Sequence, residues 1–487
     1  MCSNPAFETL APRSLALTFL VGGSSEQPGW SSRKAKMIFQ SAARRPAALA
    51  KYWQWLIVCF IATPAAAIDL IESFELARVN DPVFRAATYE KLAVDSSLRI
   101  AWSSLLPTAS AQAGYTHTRQ SVQSSDNTVF AVGATDYAVK TYGATLTQPI
   151  FRMTDWAEVS QARSNVKQAA AELDVAYQDV VFRTADAYLG ALEAAREHDL
   201  RKRERDALER QSEISERRLD SGIGNAPDVY EAEARFALAE ADEALAAVSL
   251  QDAIQALAEI TGRLNQDLRP LAESIPLASP EPANPEAWVR IATLKNPALE
   301  ARRHAVVISD REIDKQRGAH FPTIDFNASV NNRDTDGSLF GGGSQVETAE
   351  VGVLVNVPIF SGGSVLFATR RARDLHKRNQ QQLIQIRRQI ERETRDAFQA
   401  VGSLARRVQA LRKSAEVQAR AVEARQKSVR AGVDSIINVL NAERDLYAAL
   451  RDYAEGRFEY VRSVLRLEQA VGSLGVEDLE QISQWLE

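Results

Sequence analysis

The sequence contains little cysteine and no long apolar run. Of its 487 residues only Cys2 and Cys59 are cysteines, and both precede the expected start of the mature protein. This excludes a disulfide framework and a thiolate metal site from the mature chain. No stretch of 18 uninterrupted apolar residues occurs, which excludes a membrane-spanning helix. The 58 basic residues nearly balance the 63 acidic ones, whereas a nucleic-acid partner would require a clustered basic excess.

Motifs for catalysis and cofactor binding are missing as well. The sequence has no His-Glu-x-x-His motif, no phosphate-binding glycine loop before a helix and a lysine, and no cysteine nucleophile in its mature part. Five histidines are scattered without metal-ligand spacing, namely His117, His198, His304, His320 and His376. We therefore predict that the protein is not an enzyme and has no catalytic residue, metal site or cofactor.

Proline is absent from two long segments, residues 150–226 and 359–487. Because proline breaks helix interiors, both segments are open to very long helices. Apolar residues recur there every seven positions, which predicts left-handed coiled coils. These residues are Val166, Leu173, Val180, Ala187 and Ala194 in the first segment, and Leu383, Ile390, Ala397, Leu404, Leu411, Val401, Val408, Ala415, Val422 and Val429 in the second. A continuous helix over residues 154–219 would be about 100 Å long, a stalk or a wall.

Residues 51–67 have the pattern of a secretory signal peptide. An apolar core at residues 55–62 follows Arg44, Arg45 and Lys51 and ends in small residues, so cleavage is expected after Ala67. The first 36 residues have neither a signal pattern nor the pattern of a folded segment. We therefore assign residues 1–67 to an N-terminal extension and signal peptide, and hypothesise that translation begins at Met37.

The rest of the chain is an internal duplication. Leu-Pro-Thr at residues 106–108 matches Phe-Pro-Thr at 321–323, and Asp-Ala-Tyr at 186–188 matches Asp-Ala-Phe at 396–398. The glycines at 222 and 262 match those at 432 and 472. The first repeat spans residues 68–262, with a short helix, two barrel strands and a long helical hairpin. A proline-rich equatorial joint covers residues 263–286, and residues 287–487 form the second repeat and C-terminal segment.

Each repeat contains two segments in which apolar and polar residues alternate. In the first repeat these segments surround residues 108–116 and 141–147, and in the second they surround residues 324–331 and 350–357. Strands of about nine or ten residues with one apolar face are typical of membrane barrels. A soluble β-sandwich is the commoner source of alternation, but four strands among long helices cannot build one. An open sheet in lipid leaves backbone groups unpaired, so several chains must share one barrel.

A glycine turn ends each long helix, after which the chain doubles back. The turns lie at residues 219–224, with Pro227 opening the return helix, and at residues 430–434, before a return helix predicted over residues 435–474. Both turns are at the end of the helix farthest from the strands. The hairpin tips therefore lie together at one pole.

A Pro-Ile-Phe-Ser-Gly-Gly turn at residues 358–363 joins a strand to a long helix, and the chain closes with Ala-Val-Gly-Ser-Leu at residues 470–474. With the signal peptide, the duplication, the strands and the hairpins, these motifs resemble the TolC family of outer-membrane efflux and secretion ducts. The closing segment is most similar to the branch that serves type I protein secretion. The resemblance implies a mainly α fold with a membrane β-barrel, in which a homotrimer forms 12 strands in outer-membrane lipid and an α-helical coiled-coil tunnel across the periplasm.

The resemblance also implies two functional regions at the tips. A periplasmic adaptor protein docks on the apolar turns, which here are formed by Gly222, Ile223, Gly432 and Val433. Relatives close the tip with acidic side chains at a periplasmic gate. The corresponding positions here are Asn438 and Asn441, and their counterparts in the first repeat are Asp228 and Glu231. Relatives also have a basic residue that links neighbouring hairpins, and Asp434 stands at that position here.

The two asparagines carry no charge. Strong cation block and a pH-sensitive gate are therefore not expected, unless Asp228 and Asp434 supply the charge. We hypothesise that Asp228 pairs with Arg430 of a neighbouring hairpin and holds the tip shut.

The function implied is passive export from the periplasm to the exterior of a Gram-negative cell. The partners implied are two further copies of the chain, a periplasmic adaptor, an inner-membrane ABC or proton-driven transporter, and outer-membrane lipid. Two alternatives stay open. One is the multidrug efflux duct of a proton-driven pump, and the other is a soluble periplasmic coiled-coil adaptor or scaffold.

Overall fold

The computed structural model describes residues 68–124, 133–264, 267–338 and 342–487. The predicted N-terminal extension and signal peptide lie outside these residues. The elements run in the order α1 (Leu70–Asn80), α2 (Pro82–Ser103), β1 (Thr108–Val122), β2 (Gly133–Phe151), α3 (Met153–Asp220), α4 (Ala226–Thr261), α5 (Pro285–Lys295), α6 (Pro297–Gly318), β3 (Thr323–Thr335), β4 (Ser344–Asn356), α7 (Ser364–Arg430), α8 (Ile436–Val471) and α9 (Val476–Ser483).

Each repeat begins with two helices, whereas the sequence predicted one short helix at the start of the first repeat. The break falls at Asp81-Pro82 in the first repeat and at Asn296-Pro297 in the second. The side chain of Asp81 accepts a hydrogen bond from the backbone N–H of Phe84, and that of Asn296 accepts bonds from the first turn of α6. A side-chain cap followed by proline at the first helical position starts a new helix, which explains the break.

The four strands form one antiparallel sheet in the order β1-β2-β3-β4. Its register places the apolar residues of all four strands in rows, such as Ala109, Leu146, Ala328 and Val351. The intervening rows are polar, as Ser110, Thr145, Ser329 and Glu350 illustrate. The predicted two-faced sheet is therefore confirmed.

The strands are longer than predicted, with 15, 19, 13 and 13 residues. Polar residues beyond the predicted strand segments continue the pairing at the far end, where Val122 pairs with Gly133. At the other end, β2 passes through Pro149 with a shift in register, and Pro358 of the second repeat follows the end of β4. The Pro-Ile-Phe sequence, which occurs at residues 149–151 and again at residues 358–360, therefore lies within a strand in the first repeat and after a strand in the second.

Two helices of 68 and 67 residues, α3 and α7, confirm the prediction drawn from the missing prolines. The residues of the predicted heptads are buried or half-buried throughout, and Val180 and Val401 are among the most buried side chains. α8 ends at Val471, three residues earlier than predicted, because Gly472 adopts a left-handed conformation with φ 86°. None of the helices in the described parts of the chain is long and apolar enough to cross a membrane.

The largest apolar core lies around the middle of α3 and α7 and the C-terminal half of α8, where α1 packs on α3, α5 packs on α7 and α8, and α9 packs on α1. The buried hydroxyl of Tyr188 donates a hydrogen bond to the carbonyl of Ile68 at 2.9 Å and accepts one from the N–H of Arg269 at 3.1 Å. Tyr460 accepts a bond from the N–H of Ala278. The two tyrosines fix the proline-rich segment to the helices, since a buried hydroxyl requires partners.

We expect Gly472→Ala to destabilise the protein. A Cβ there would lie 2.6 Å from Cα of Asn296 and 2.8 Å from Cδ of Pro297, and the positive φ adds backbone strain, about 1–2 kcal/mol for a non-glycine residue. Gly402→Ala is the matched control, because it lies within α7 and a Cβ at this position would meet no other atom within 4 Å, while alanine favours a helix by up to about 1 kcal/mol. Thermal unfolding should show a lower midpoint for Gly472→Ala only. Equal midpoints would contradict the tight helix end.

Candidate functional site at the hairpin tips

The two tips have the same turn geometry. After α3, the N–H of Ile223 donates to the carbonyl of Arg218, and after α7 the N–H of Val433 donates to that of Ser428. Gly222 and Gly432 precede these residues with φ values of 70° and 76°. This is the glycine-terminated helix end in which left-handed glycine closes the last turn.

Apolar side chains stand at the apex of both turns. Ile223 is 74% exposed and Val433 is 78% exposed. All four residues of the predicted docking region therefore lie on accessible turns. Exposed apolar side chains of this size at matching positions offer a contact surface for a partner.

A small apolar core lies just behind the tips and joins the two hairpins. Its buried members come from α3, α4 and α8, and Phe236 and Val429 pack against it. The buried members are Leu208, Ala232, Ala239, Ile436 and Leu440. The hairpins of one chain are thus held together next to their tips by only a few large side chains.

A polar link crosses between the hairpins at the same level. Arg235 of α4 donates one hydrogen bond to Glu231 at 2.7 Å and another to the side-chain oxygen of Asn441 on α8 at 3.0 Å. Two of the predicted gate residues, Glu231 and Asn441, are therefore brought together by an arginine that was not among the predicted gate residues. Arg235 is the only basic residue of α4, which is the signal that could have identified it.

Asp434 is held within its own hairpin. Its carboxylate accepts a hydrogen bond from the amide of Asn438 at 2.6 Å, one from the N–H of Ser435 at 2.8 Å and one from Arg425 at 3.1 Å. These bonds, that of Asn438 first, lower the pKa of Asp434 because they favour the ionised form. Asp434 is thus a carboxylate whose charge Arg425 largely offsets.

The other two predicted gate residues are not paired with each other. Asp228 is half-buried in the first turn of α4, where its N–H donates to the capping side chain of Asn225, and Arg430 is exposed in the last turn of α7. Across the described residues of one chain, no ion pair joins Asp228 to Arg430. Their hypothesised pairing between neighbouring hairpins therefore requires two chains and stays a prediction.

A buried carboxylate lies one half-turn beyond Asn441. Glu443 is 7% exposed and accepts one hydrogen bond from Gln426 at 3.1 Å, and its second oxygen has no hydrogen-bond partner among the described residues. Burial raises the pKa of Glu443, although Gln426 and the charge of Arg210 on α3 act in the opposite direction. Tyr447, one turn further along α8, also faces this carboxylate. An acid within the apolar stripe of α8 is the sequence signal for this group, which was not among the predicted gate residues.

We expect Glu443→Gln to stabilise the protein at neutral pH. The unfolded chain ionises near the ordinary pKa of 4.5, while the folded chain keeps its proton to higher pH. Stability therefore falls as pH rises through this window. At pH 7 the variant should be more stable because its amide carries no charge to bury, and each unit by which burial raises the pKa corresponds to about 1.4 kcal/mol.

The measurement is the thermal midpoint of both proteins at pH 4 and pH 7, and the gain should vanish at pH 4. Glu423→Gln is the control, because Glu423 is exposed and paired with Lys427 at 2.6 Å. It should give no gain at either pH. A gain for Glu443→Gln that is independent of pH would refute the role of charge burial.

Comparison with known proteins agrees with this architecture. The family model described as outer membrane efflux protein matches residues 74–263 and 288–473, one match in each repeat. The chain is 30% identical to the alkaline protease secretion protein AprF of Pseudomonas aeruginosa, covering 88% of the chain and 90% of the relative. It is 29% identical to the proteases secretion protein PrtF of Dickeya chrysanthemi (87% and 92% covered) and 26% identical to the outer membrane protein TolC of Escherichia coli (84% and 83%).

Solved structures show the same fold. The CmeC outer membrane channel of Campylobacter jejuni superposes with a TM-score of 0.72 at 16% identity, covering 86% of the chain and 90% of CmeC. Family and fold together confirm an outer-membrane export duct and remove the soluble periplasmic adaptor as an alternative. The duplicated sheet and helical hairpins thus make this chain a member of the outer membrane efflux protein family.

Proposed function

We propose that the protein is the exit duct of a type I secretion system, and that three copies build one barrel and one tunnel. The observation that carries the proposal is a two-faced sheet of only four strands, continued by two helical hairpins of about 100 Å. Within the described residues, β1 and β4 each have one unpaired edge. Bacterial barrels contain at least eight strands. Pairing β4 of one copy with β1 of the next gives 12 strands when three copies close the ring.

Charge complementarity supports the same arrangement for the helices. α7 contains 17 Lys and Arg against 6 Asp and Glu, whereas α4 contains 1 Arg against 8 Asp and Glu. α4 also exposes a row of apolar side chains, which are Tyr230, Leu238, Leu245 and Val248. Packing α4 on α7 of the next copy would bury this row and pair the opposite charges.

The tips would form the gate of the tunnel. The link from Arg235 to Glu231 and Asn441 ties the two hairpins of one chain, and a pair between Asp228 and Arg430 would tie neighbouring chains. An adaptor that binds the separated hairpins better than the closed ones would shift the tip to its open form without any chemical step.

We expect Arg235→Met to raise the single-channel conductance in planar bilayers. The variant keeps the aliphatic bulk but loses a charged hydrogen bond of about 1.5 kcal/mol, which corresponds to roughly a tenfold shift toward the open tip. Asp228→Ala should also raise conductance if the pair between chains exists. Arg217→Met is the control, since its ion pair with Glu213 stays within α3. If Arg235→Met has the conductance of the wild type, the link from Arg235 to Asn441 does not hold the tip closed. If Asp228→Ala has the conductance of the wild type, the pair between Asp228 and Arg430 does not hold it closed.

Protein secretion is the favoured task because two relatives, AprF and PrtF, are named for protease secretion and match along most of the chain. In this arrangement an inner-membrane ABC transporter supplies the energy and a periplasmic adaptor contacts Ile223 and Val433. A multidrug duct of a proton-driven pump would use the same tunnel. The two tasks differ in what a cell loses when the duct is removed.

Deletion of the gene should remove proteins from the culture medium and leave drug susceptibility unchanged. Complementation with Ile223→Asn plus Val433→Asn should restore the trimer in the outer membrane but lower secretion by on the order of tenfold, because the central apolar contacts of an interface carry most of its energy. The control variant is Ser221→Asn plus Ala431→Asn, which introduces asparagine into the same two turns but keeps Ile223 and Val433, and it should secrete as the wild type. If the deletion strain secretes proteins as the wild type does but becomes more susceptible to drugs, the multidrug alternative is established instead.

A further inference from the structure

The first turns of α7 carry a dense group of basic side chains. Five residues within nine positions, Arg370, Arg371, Arg373, Lys377 and Arg378, are all exposed, and we call them the α7 basic cluster. At 100° per residue the five fall within one arc of about 160° on the helix. The opposite side of the same turns is covered, with Thr369 and Ala372 buried and His376 within 3.1 Å of Ser309 on α6.

The cluster has almost no acidic compensation. Among the described residues, none of its five members forms an ion pair, and Asp374 is the only acidic residue between them. Most of the other basic residues further along α7 are paired, for example Arg395 with Glu286 and Arg407 with Glu459. The cluster is therefore a positively charged surface to which an anionic ligand could bind.

Large apolar side chains lie between the cluster and the sheet. Ile359 is 94% exposed and Phe360 is 88% exposed in the turn after β4, and Leu366 and Phe367 are exposed in the first turn of α7. Leu366 and Phe367 share the outward face of the basic cluster. Along this face the surface changes from apolar next to the sheet to basic further away.

The change from apolar to basic occurs close to the start of α7. Arg370 lies about 9 Å and Arg378 about 21 Å from that start, and the headgroup layer of a bilayer is about 5–8 Å thick on each side, so the members nearest the sheet are the ones that can reach it directly. Side chains of a helix lean toward its N-terminus, which in α7 is the end next to the sheet. The long side chains of Arg370, Arg371 and Arg373 can therefore extend toward a headgroup layer at that end, as long basic side chains near a membrane commonly do.

The first repeat lacks this feature. The equivalent positions on α3 hold Ser160, Gln161, Arg163, Lys167 and Gln168, and the guanidinium of Arg163 stacks 5.2 Å above the ring of Trp102. The duplication therefore supplies an internal reference with two basic residues in place of five. The cluster belongs to the second repeat alone.

We propose that the α7 basic cluster is a binding site for anionic phospholipids of the periplasmic leaflet. The exposed apolar residues of the β4–α7 turn contact the acyl chains, and the five cations bind the phosphate groups of two or more lipids. Clusters of four to eight basic residues beside a membrane-spanning segment are typical of such binding. The inference rests on the outer-membrane location and is independent of the cargo and of the gate.

The test measures lipid retained by the purified protein. The trimer in detergent is incubated with equal amounts of phosphatidylglycerol and phosphatidylcholine and repurified, and bound lipid is quantified by mass spectrometry. The wild type should retain phosphatidylglycerol in preference, and the preference should fall as salt is added. Replacing all five basic residues by Gln should reduce it by on the order of tenfold. The control variant carries Arg387→Gln, Arg388→Gln and Arg392→Gln, which are exposed residues further along α7, and should behave as the wild type.

Three outcomes would overturn the proposal. One is equal preference in the five-Gln variant and the wild type. Another is competition by inorganic phosphate as effective as that by phosphatidylglycerol, which would indicate a phosphate site. The third is loss of the trimer in the five-Gln variant while the wild type shows no salt-dependent lipid preference, which would assign the cluster to contacts between copies. If the five-Gln variant does not assemble, Arg370→Gln plus Arg371→Gln and the salt series on the wild type decide the matter.

Discussion

An unpaired sheet edge in lipid is the constraint on which the rest of the architecture depends. Each backbone group left without a partner in hydrocarbon costs several kcal/mol, and the sheet of one chain has two such edges, on β1 and β4. Identical copies can remove both edges by closing a ring. Such a ring would in turn set the positions at which α3 and α7 leave the membrane, so that the tunnel wall follows from the closure of the barrel.

The long elements were the most predictable part of the fold. Missing prolines and seven-residue repeats indicated α3 and α7, because a heptad constrains many residues at once and local context cannot override it. The ends of the elements were less predictable. β2 runs through Pro149, although proline normally ends a strand. The register of pairing shifts at that point, so the sheet continues although proline has no backbone N–H to donate. The extra helix at Asp81-Pro82 was visible as a cap followed by proline, but that signal is only two residues long.

The candidate site was predictable in place but not in its contacts. The glycines at 222 and 432 placed both turns correctly, since a left-handed residue after a helix is a local requirement. The pairing of Arg235 with Asn441 joins residues 206 positions apart, and it depends on the rotation of two helices about their axes. Sequence spacing gives no access to that rotation. For the same reason the contact of Asp434 with Arg425 of its own hairpin was not predicted, and its role at the gate stays a prediction.

The divergence of the two repeats has a physical reason in the closed ring. With identical repeats, six equivalent hairpins could meet in more than one order, and a chain could pair its first repeat with either repeat of a neighbour. In the proposed ring, the acidic α4 and the basic α7 would remove this ambiguity, because contacts between like charges are unfavourable and pairing α4 with α7 brings opposite charges together. The α7 basic cluster adds to this asymmetry, because the second repeat presents five exposed cations where the first has two, of which Arg163 stacks on Trp102. Duplication supplies the length of the wall, and the differences between the copies specify how the walls assemble.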